Sequence, residues 1–217
     1  MKILEIYEKY KIMPSLQLHM LRVAGVASII CDNFEKPVNK ELIVSACLLH
    51  DMGNIIKSDL TKFAEFLQPE GLEYWQKIKN EFEEKYGKDE KNATHTIVEK
   101  LKISTQIQEV IRNSGFSKLE KVYNSSRFEY KICEYSDLRV LPYGVGSLKS
   151  RMTDLKIRYA KRAKDEMWNN HDYLADFIYK IEKQIFEHCK IRPEDITEKK
   201  VKTLADALRQ YNILTKN

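Results

Sequence analysis

Apolar residues recur along almost the whole chain at the spacing of helices, not at the alternation of half-buried strands. Leu16, His19, Leu21, Val23, Val26 and Ile30 fall on one helical period behind Pro14, a residue suited to a helix's first turn. Residues 2–11 form a shorter amphipathic segment ahead of it. After the break "KPVN", Asn39 is a candidate N-cap for a helix over 40–52 that ends in His50-Asp51. Helices are predicted over 59–68 and 71–86, the second through Leu72, Trp75, Ile78 and Phe82. "YGKDEKNA" reads as a polar link, His95 heads "HTIVEKLKI", and "TQIQEVIRNSG" repeats the period up to Gly115. Residues 126–140 make a helix carrying Asp137. "LPYGVGS" is the one Gly/Pro-dense loop, and Ser147 can cap the basic helix behind it. Helices around 169–189 and 195–214 finish the chain. With no repeat, low-complexity segment or linker, the pattern predicts one all-α domain, a single helical bundle over residues 1–217.

Composition agrees with that picture. Seven Gly and five Pro are few for 217 residues, which disfavours a turn-rich β architecture. A 43% hydrophobic and 32% charged composition fits a soluble globular protein. No run reaches the apolar length expected of a bilayer span, and Glu5 and Glu8 interrupt the start where a signal peptide needs an unbroken apolar stretch. Cys31, Cys47, Cys133 and Cys189 are far apart and in apolar helical context, so buried thiols are expected, and with them a cytoplasmic location. The net charge of +5 lies entirely in residues 147–217, with 16 Lys/Arg against 11 Asp/Glu. It is densest in "LKSRMTDLKIRYAKRAK", residues 148–164, either a solvated helix face or a positive wall beside an anion site.

Four residues carry the candidate chemistry. His19, His50, Asp51 and Asp137 each lie on a predicted helix. His19 has Leu16 and Val23 one turn away, His50 has Ala46 and Leu49, and Asp137 has Cys133 and Val140. A helix that buries those neighbours also turns its His or Asp inward, where a polar group is costly unless satisfied. Two imidazoles and two carboxylates form an N/O donor set suited to Mn, Fe, Co, Ni, Zn or Mg. A hydrogen-bonded core role is the plainer reading of any one such histidine.

The chain resembles the HD-domain superfamily of metal-dependent phosphohydrolases, whose signature is H…HD…D in chain order. The match is "HMLRVA" (His19), "LLHDMGN" (His50-Asp51) and "EYSDLRV" (Asp137), a resemblance that covers roughly residues 15–140, with the helices of 147–217 packed on that core. It implies an all-helical bundle around one divalent metal ion held by His19, His50, Asp51 and Asp137. It also implies hydrolysis of a small phosphate ester, a nucleotide or related metabolite, by metal-activated water that Asp51 helps to orient. Phosphate chemistry requires positive charge around the non-bridging oxygens. Arg22, one turn from His19, and Lys57 and Arg139 are candidates, each with a surface salt bridge as its alternative. His95 resembles the intermediate histidine of many HD families, as a substrate contact or proton donor, against a capping or core role. "YGVGS" is expected as a backbone-lined rim backed by Arg151 or Arg158.

Relatives often follow HD with a charged residue where this chain has Asn54-Ile55, which leaves the general acid/base unassigned. The scarcity of further histidines counts against a two-iron oxygenase. A non-catalytic module binding a nucleotide or nucleic acid is the competing reading, with nucleic acid less favoured. His171-Asp172 reads as a helix start, His188 as structural, and Phe63, Phe66, Tyr74 and Trp75 as core aromatics.

Overall fold

A computed structural model of the chain describes residues 1–159 and 170–213. Its helices are α1 (Ile3–Lys9), α2 (Pro14–Asp32), α3 (Lys40–Leu49), α4 (Gly71–Tyr86), α5 (Glu90–Lys100), α6 (Thr105–Arg112), α7 (Leu119–Asn124), α8 (Phe128–Asp137), α9 (Leu148–Tyr159), α10 (His171–Phe186) and α11 (Glu198–Leu208). The fold is all-α. A small antiparallel hairpin, β1 (Val140–Leu141) with β2 (Gly144–Val145), pairs Val140 with Val145 and Leu141 with Gly144.

Local signals set most of these boundaries. Pro14 opens α2, the Asn39 side chain accepts from Leu42 N–H at 2.9 Å to cap α3, and Ser147 Oγ accepts from Ser150 N–H ahead of α9. Helices α2, α3 and α8 pack on one another, α11 lies against α2, and α10 lies against α7 and α8. The buried apolar cluster runs from Ile3 to Ile213. The chain ends meet, with Ile3 N–H donating to the Tyr211 carbonyl and Ile213 N–H to that of Met1, both at 2.9 Å.

Several expectations are corrected. Residues 59–68 hold only a short 3₁₀ turn, Ala64–Leu67. There Asp59 Oδ1 accepts from both the N–H and hydroxyl of Thr61, a local bond that competes with helix. Phe63 adopts left-handed backbone (φ 57°), through which no helix runs. Helix α3 stops at Leu49, so His50 caps it and Asp51 lies in the turn beyond. Helix α5 starts at Glu90 instead of near His95, because Asp89 accepts from Asn92 N–H at 2.7 Å. The helix expected over 126–140 ends at Asp137, and the loop after it folds into the hairpin.

Two readings of burial also change. Trp75 is in the core, but Phe63 and Phe66 are only half-buried and Tyr74 is exposed. Helix α2 is long and apolar enough to cross a membrane, contrary to the sequence reading, because its 19 residues carry only Arg22 and Asp32 as charges. Its Met20, Leu21, Val23, Val26 and Ile30 are all packed in the core. The four cysteines are free thiols, Cys47 and Cys133 buried and the other two half-buried. In the basic stretch, Lys161, Arg162 and Lys164 lie outside the described residues.

Candidate metal centre

The HD turn is fixed from three sides. Tyr7, fully buried on α1, donates its hydroxyl to the Leu48 carbonyl at 2.7 Å, holding the end of α3. Gly53 N–H donates to Thr94 Oγ1 of α5 at 2.9 Å. The side-chain amide of Asn54 donates to Asp51 Oδ2. Asn54 thus holds the carboxylate beside which relatives often carry a charge, and orients it.

Helices α2 and α8 bring the remaining donors to this turn. Ligand atoms of His19, His50 and Asp51 all lie within 4.8 Å of one another. His19 Nε2 is 3.5 Å from Asp51 Oδ2 and 3.0 Å from Asp137 Oδ1. His50 Nε2 is 3.7 and 3.5 Å from the same two oxygens. Bonds of about 2.1 Å to a common ion imply neighbouring donors roughly 3.0–3.4 Å apart, close to these separations.

The histidine tautomer fits as well. His50 Nδ1 lies 2.8 Å from the Cys47 carbonyl, so it is the protonated nitrogen. Its Nε2 is buried, has no hydrogen-bond partner and is the nitrogen that faces Asp51 and Asp137, so it is the one available to a metal. Without an ion, burial lowers the His50 pKa, but the charge of Asp51 and the nearby Asp137 carboxylate raise it to about 10. Burial likewise raises the Asp137 carboxyl, and His19 and His50 together hold it well below the usual range.

Metal uptake therefore competes with a proton. At neutral pH the metal-free His50 is protonated, and an ion must displace that proton, so affinity rises with pH up to about 10. Calorimetric titration in buffers of different ionisation enthalpy should show proton release at pH 7. Uptake without release would show that His50 is already neutral.

The cluster opens into a cavity of about 810 Å³ lined by His19, His50, Asp51 and Asp137 and by both cationic and aromatic side chains. Of the residues read as substrate contacts, Arg22, Lys57, His95 and Arg151 line it, as does Arg158. Arg22, Lys57, Arg151 and Arg158 each already face a carboxylate. Arg22 donates to Glu198 Oε1 through Nε at 3.1 Å and Nη2 at 2.6 Å. Lys57 lies 3.7 Å from Glu90, and Arg151 and Arg158 converge on Asp154 at 3.1 and 2.5 Å.

Arg139 is corrected outright. It is 4% exposed, outside the cavity, and its guanidinium donates to the carbonyls of Gly146, Pro193 and Ile196 and to the Tyr135 hydroxyl. With its donors engaged this way, it pins the 193–196 loop to the end of α8. The expected backbone rim is also modified. Leu141 and Pro142 line the cavity, but Val145 N–H donates to Glu198 and Gly146 N–H to the Arg139 carbonyl, so neither faces a ligand.

Two lysines that sequence reasoning missed, Lys91 and Lys118, line the same cavity. Lys91 precedes His95 by four residues on α5, a spacing that puts both on one face and was the available signal. Burial, and then the charges of Lys118 and Arg112, push His95 below the ordinary imidazole value.

An HD-domain family model matches residues 17–210. The chain belongs to the HD-domain superfamily. The match extends through α11, past residue 140 where the motif resemblance ends. Most HD domains are metal-dependent hydrolases, and the His19/His50/Asp51 cluster gives this one a place for a divalent ion. No curated protein and no solved structure matches the chain.

Proposed function

We propose that this HD domain hydrolyses a small phosphate ester, a nucleoside phosphate, using one divalent ion held by His19, His50, Asp51 and Asp137. The observation that carries the reading is the convergence of two imidazole nitrogens and two carboxylates at one point of a cavity with cationic walls. A divalent ion at that point lowers the pKa of water and polarises a phosphoryl oxygen. The chain's own groups supply the rest. Asn54 fixes the direction of the Asp51 carboxylate, and the cationic walls favour the anionic ester. His95, held neutral near pH 7, accepts a hydrogen bond or proton more readily than it donates one.

The nucleoside part rests on the cavity mouth. Phe63 and Phe66 line it as a stacked pair, with ring centroids 5.3 Å apart and planes 22° from parallel. Tyr143 leans on both from the hairpin, and its hydroxyl donates to Glu65 at 2.7 Å. Half-buried rings at the rim of a cavity offer a surface for a base, and 810 Å³ lies within the usual range for a small-molecule site.

The test is release of orthophosphate from nucleoside monophosphates and sugar phosphates with Mn, Co, Ni or Mg. Hydrolysis that needs added metal and stops on chelation is expected. No turnover with any of the four would leave a binding module. Phe66→Ala should raise KM for the nucleoside monophosphate about tenfold, the worth of one stacking contact, and leave that for ribose 5-phosphate unchanged.

A further inference from the structure

We infer that Lys91 and Lys118, with His95 beside them, form a phosphoryl-oxygen subsite distinct from the metal ligands. Its role in catalysis rests on the phosphate-ester reading, while its ability to hold an anion does not. The first support is the pairing of charges around the cavity. Arg22, Lys57, Arg151 and Arg158 each have a carboxylate within 4.0 Å. Among the described residues, neither Lys91 nor Lys118 has one. Lys118 donates to the Arg112 carbonyl, and Lys91 reaches the Ser117 hydroxyl at 3.5 Å. Both ammonium groups are thus held by neutral acceptors, and the buried Glu134 carboxylate acts on each through its charge without pairing with either.

Second, these groups are close enough to oppose one another. Burial and the charge of Lys91 push the half-buried Lys118 ammonium down, and Lys118 does the same to His95. Like charges brought together in a cavity are unfavourable until an anion joins them. An anion there offsets the repulsion and gains charge-assisted hydrogen bonds.

Third, the subsite is tied to the metal cluster through two rigid links. Thr94, between Lys91 and His95, accepts from Gly53 N–H of the HD turn. Gly115, three residues before Lys118, donates to Glu134 Oε2 at 2.5 Å, one turn before Asp137 on α8. The lysines and the cluster line one cavity, so a phosphoryl group at the cluster lies in the space that both lysines border.

Orthophosphate binding to the full chain, followed by calorimetry with its metal and again after chelation, tests the subsite without turnover. Wild type should bind in both states. Lys91→Gln/Lys118→Gln should weaken binding at least tenfold in both, with metal content and Tm unchanged, and each single variant should lose part of that. Lys121→Gln removes an exposed charge nearby but outside the cavity, and should stay within twofold.

Wild-type affinity in the double variant would overturn the subsite. So would an equal loss in Lys121→Gln, or no binding by the chelated wild type at about 10 mM phosphate, where only a free energy weaker than about −3 kcal/mol escapes detection. Because these readouts need no hydrolysis, they can fail while metal-dependent turnover stands, and the converse also holds.

Discussion

His50→Ala should give a folded protein that retains less than about a hundredth of the wild-type metal affinity and hydrolyses nothing above background. Loss of a mere outer-shell partner typically costs 10–100-fold in affinity, and His50 contributes a donor atom itself. Its side chain is 6% exposed and its Nε2 has no partner within the protein, so no neighbour replaces it. Removing it also leaves Asp51 and Asp137 facing His19 alone. His188→Gln is the matched control, since His188 packs edge-on to Phe34 and Phe128 and does not line the cavity. Metal content by elemental analysis, with circular dichroism to establish folding, decides the matter. Wild-type metal content in His50→Ala would remove it from the ligand set. Wild-type turnover would place the chemistry elsewhere.

The His/Asp cluster was legible from two signals together, the H…HD…D order of the family the chain resembles and a helical periodicity that reports which way a side chain turns. His19, His50 and Asp137 each share a face with core residues, so burial of the neighbours carries them inward. Asp51 was legible for a different reason. It is the second residue of the HD dipeptide that the resemblance supplies, and the turn after Leu49, which the sequence did not announce, carries it to the same side. What periodicity cannot report is the partner of a charge. Arg139 looked like a substrate contact two residues from Asp137, yet its acceptors include carbonyls 54 and 57 residues further along. Lys118 was hidden among 37 Lys and Arg, where only tertiary placement sets it apart, and Lys91 had no signal beyond its spacing to His95. The segment 59–68 was misread because its apolar residues have helical spacing. Phe63 turns left-handed there, and Phe63 and Phe66 become a rim where a helix would have made them core.

Gly53→Ala is expected to do more damage than its single methyl group suggests. The backbone at Gly53 (φ −97°) is accessible to any residue, so the reason for glycine is contact, not conformation. A Cβ there would lie 2.4 Å from the Glu90 carbonyl oxygen, 2.7 Å from Ala93 Cβ and 2.8 Å from Thr94 N. Two of those atoms are backbone of α5, so no side-chain rotation relieves them. Overpacking of this kind costs about 1–3 kcal/mol, which for a chain of this size lowers Tm by about 2–12 °C. Gly25 offers a comparison, because a Cβ there would meet first Val201 Cγ1, at 3.0 Å, and the Val201 carbonyl at 3.2 Å. Gly25→Ala should therefore cost less. The functional consequence separates the two further. Displacing α5 breaks the Gly53–Thr94 bond and moves Lys91 and His95 away from the HD turn. Phosphate affinity should thus fall in Gly53→Ala although every cationic side chain is present, and should hold in Gly25→Ala. Unchanged Tm and phosphate affinity in Gly53→Ala would mean that α5 does not rest on the HD turn. The lysines would then have no mechanical link to the His/Asp cluster.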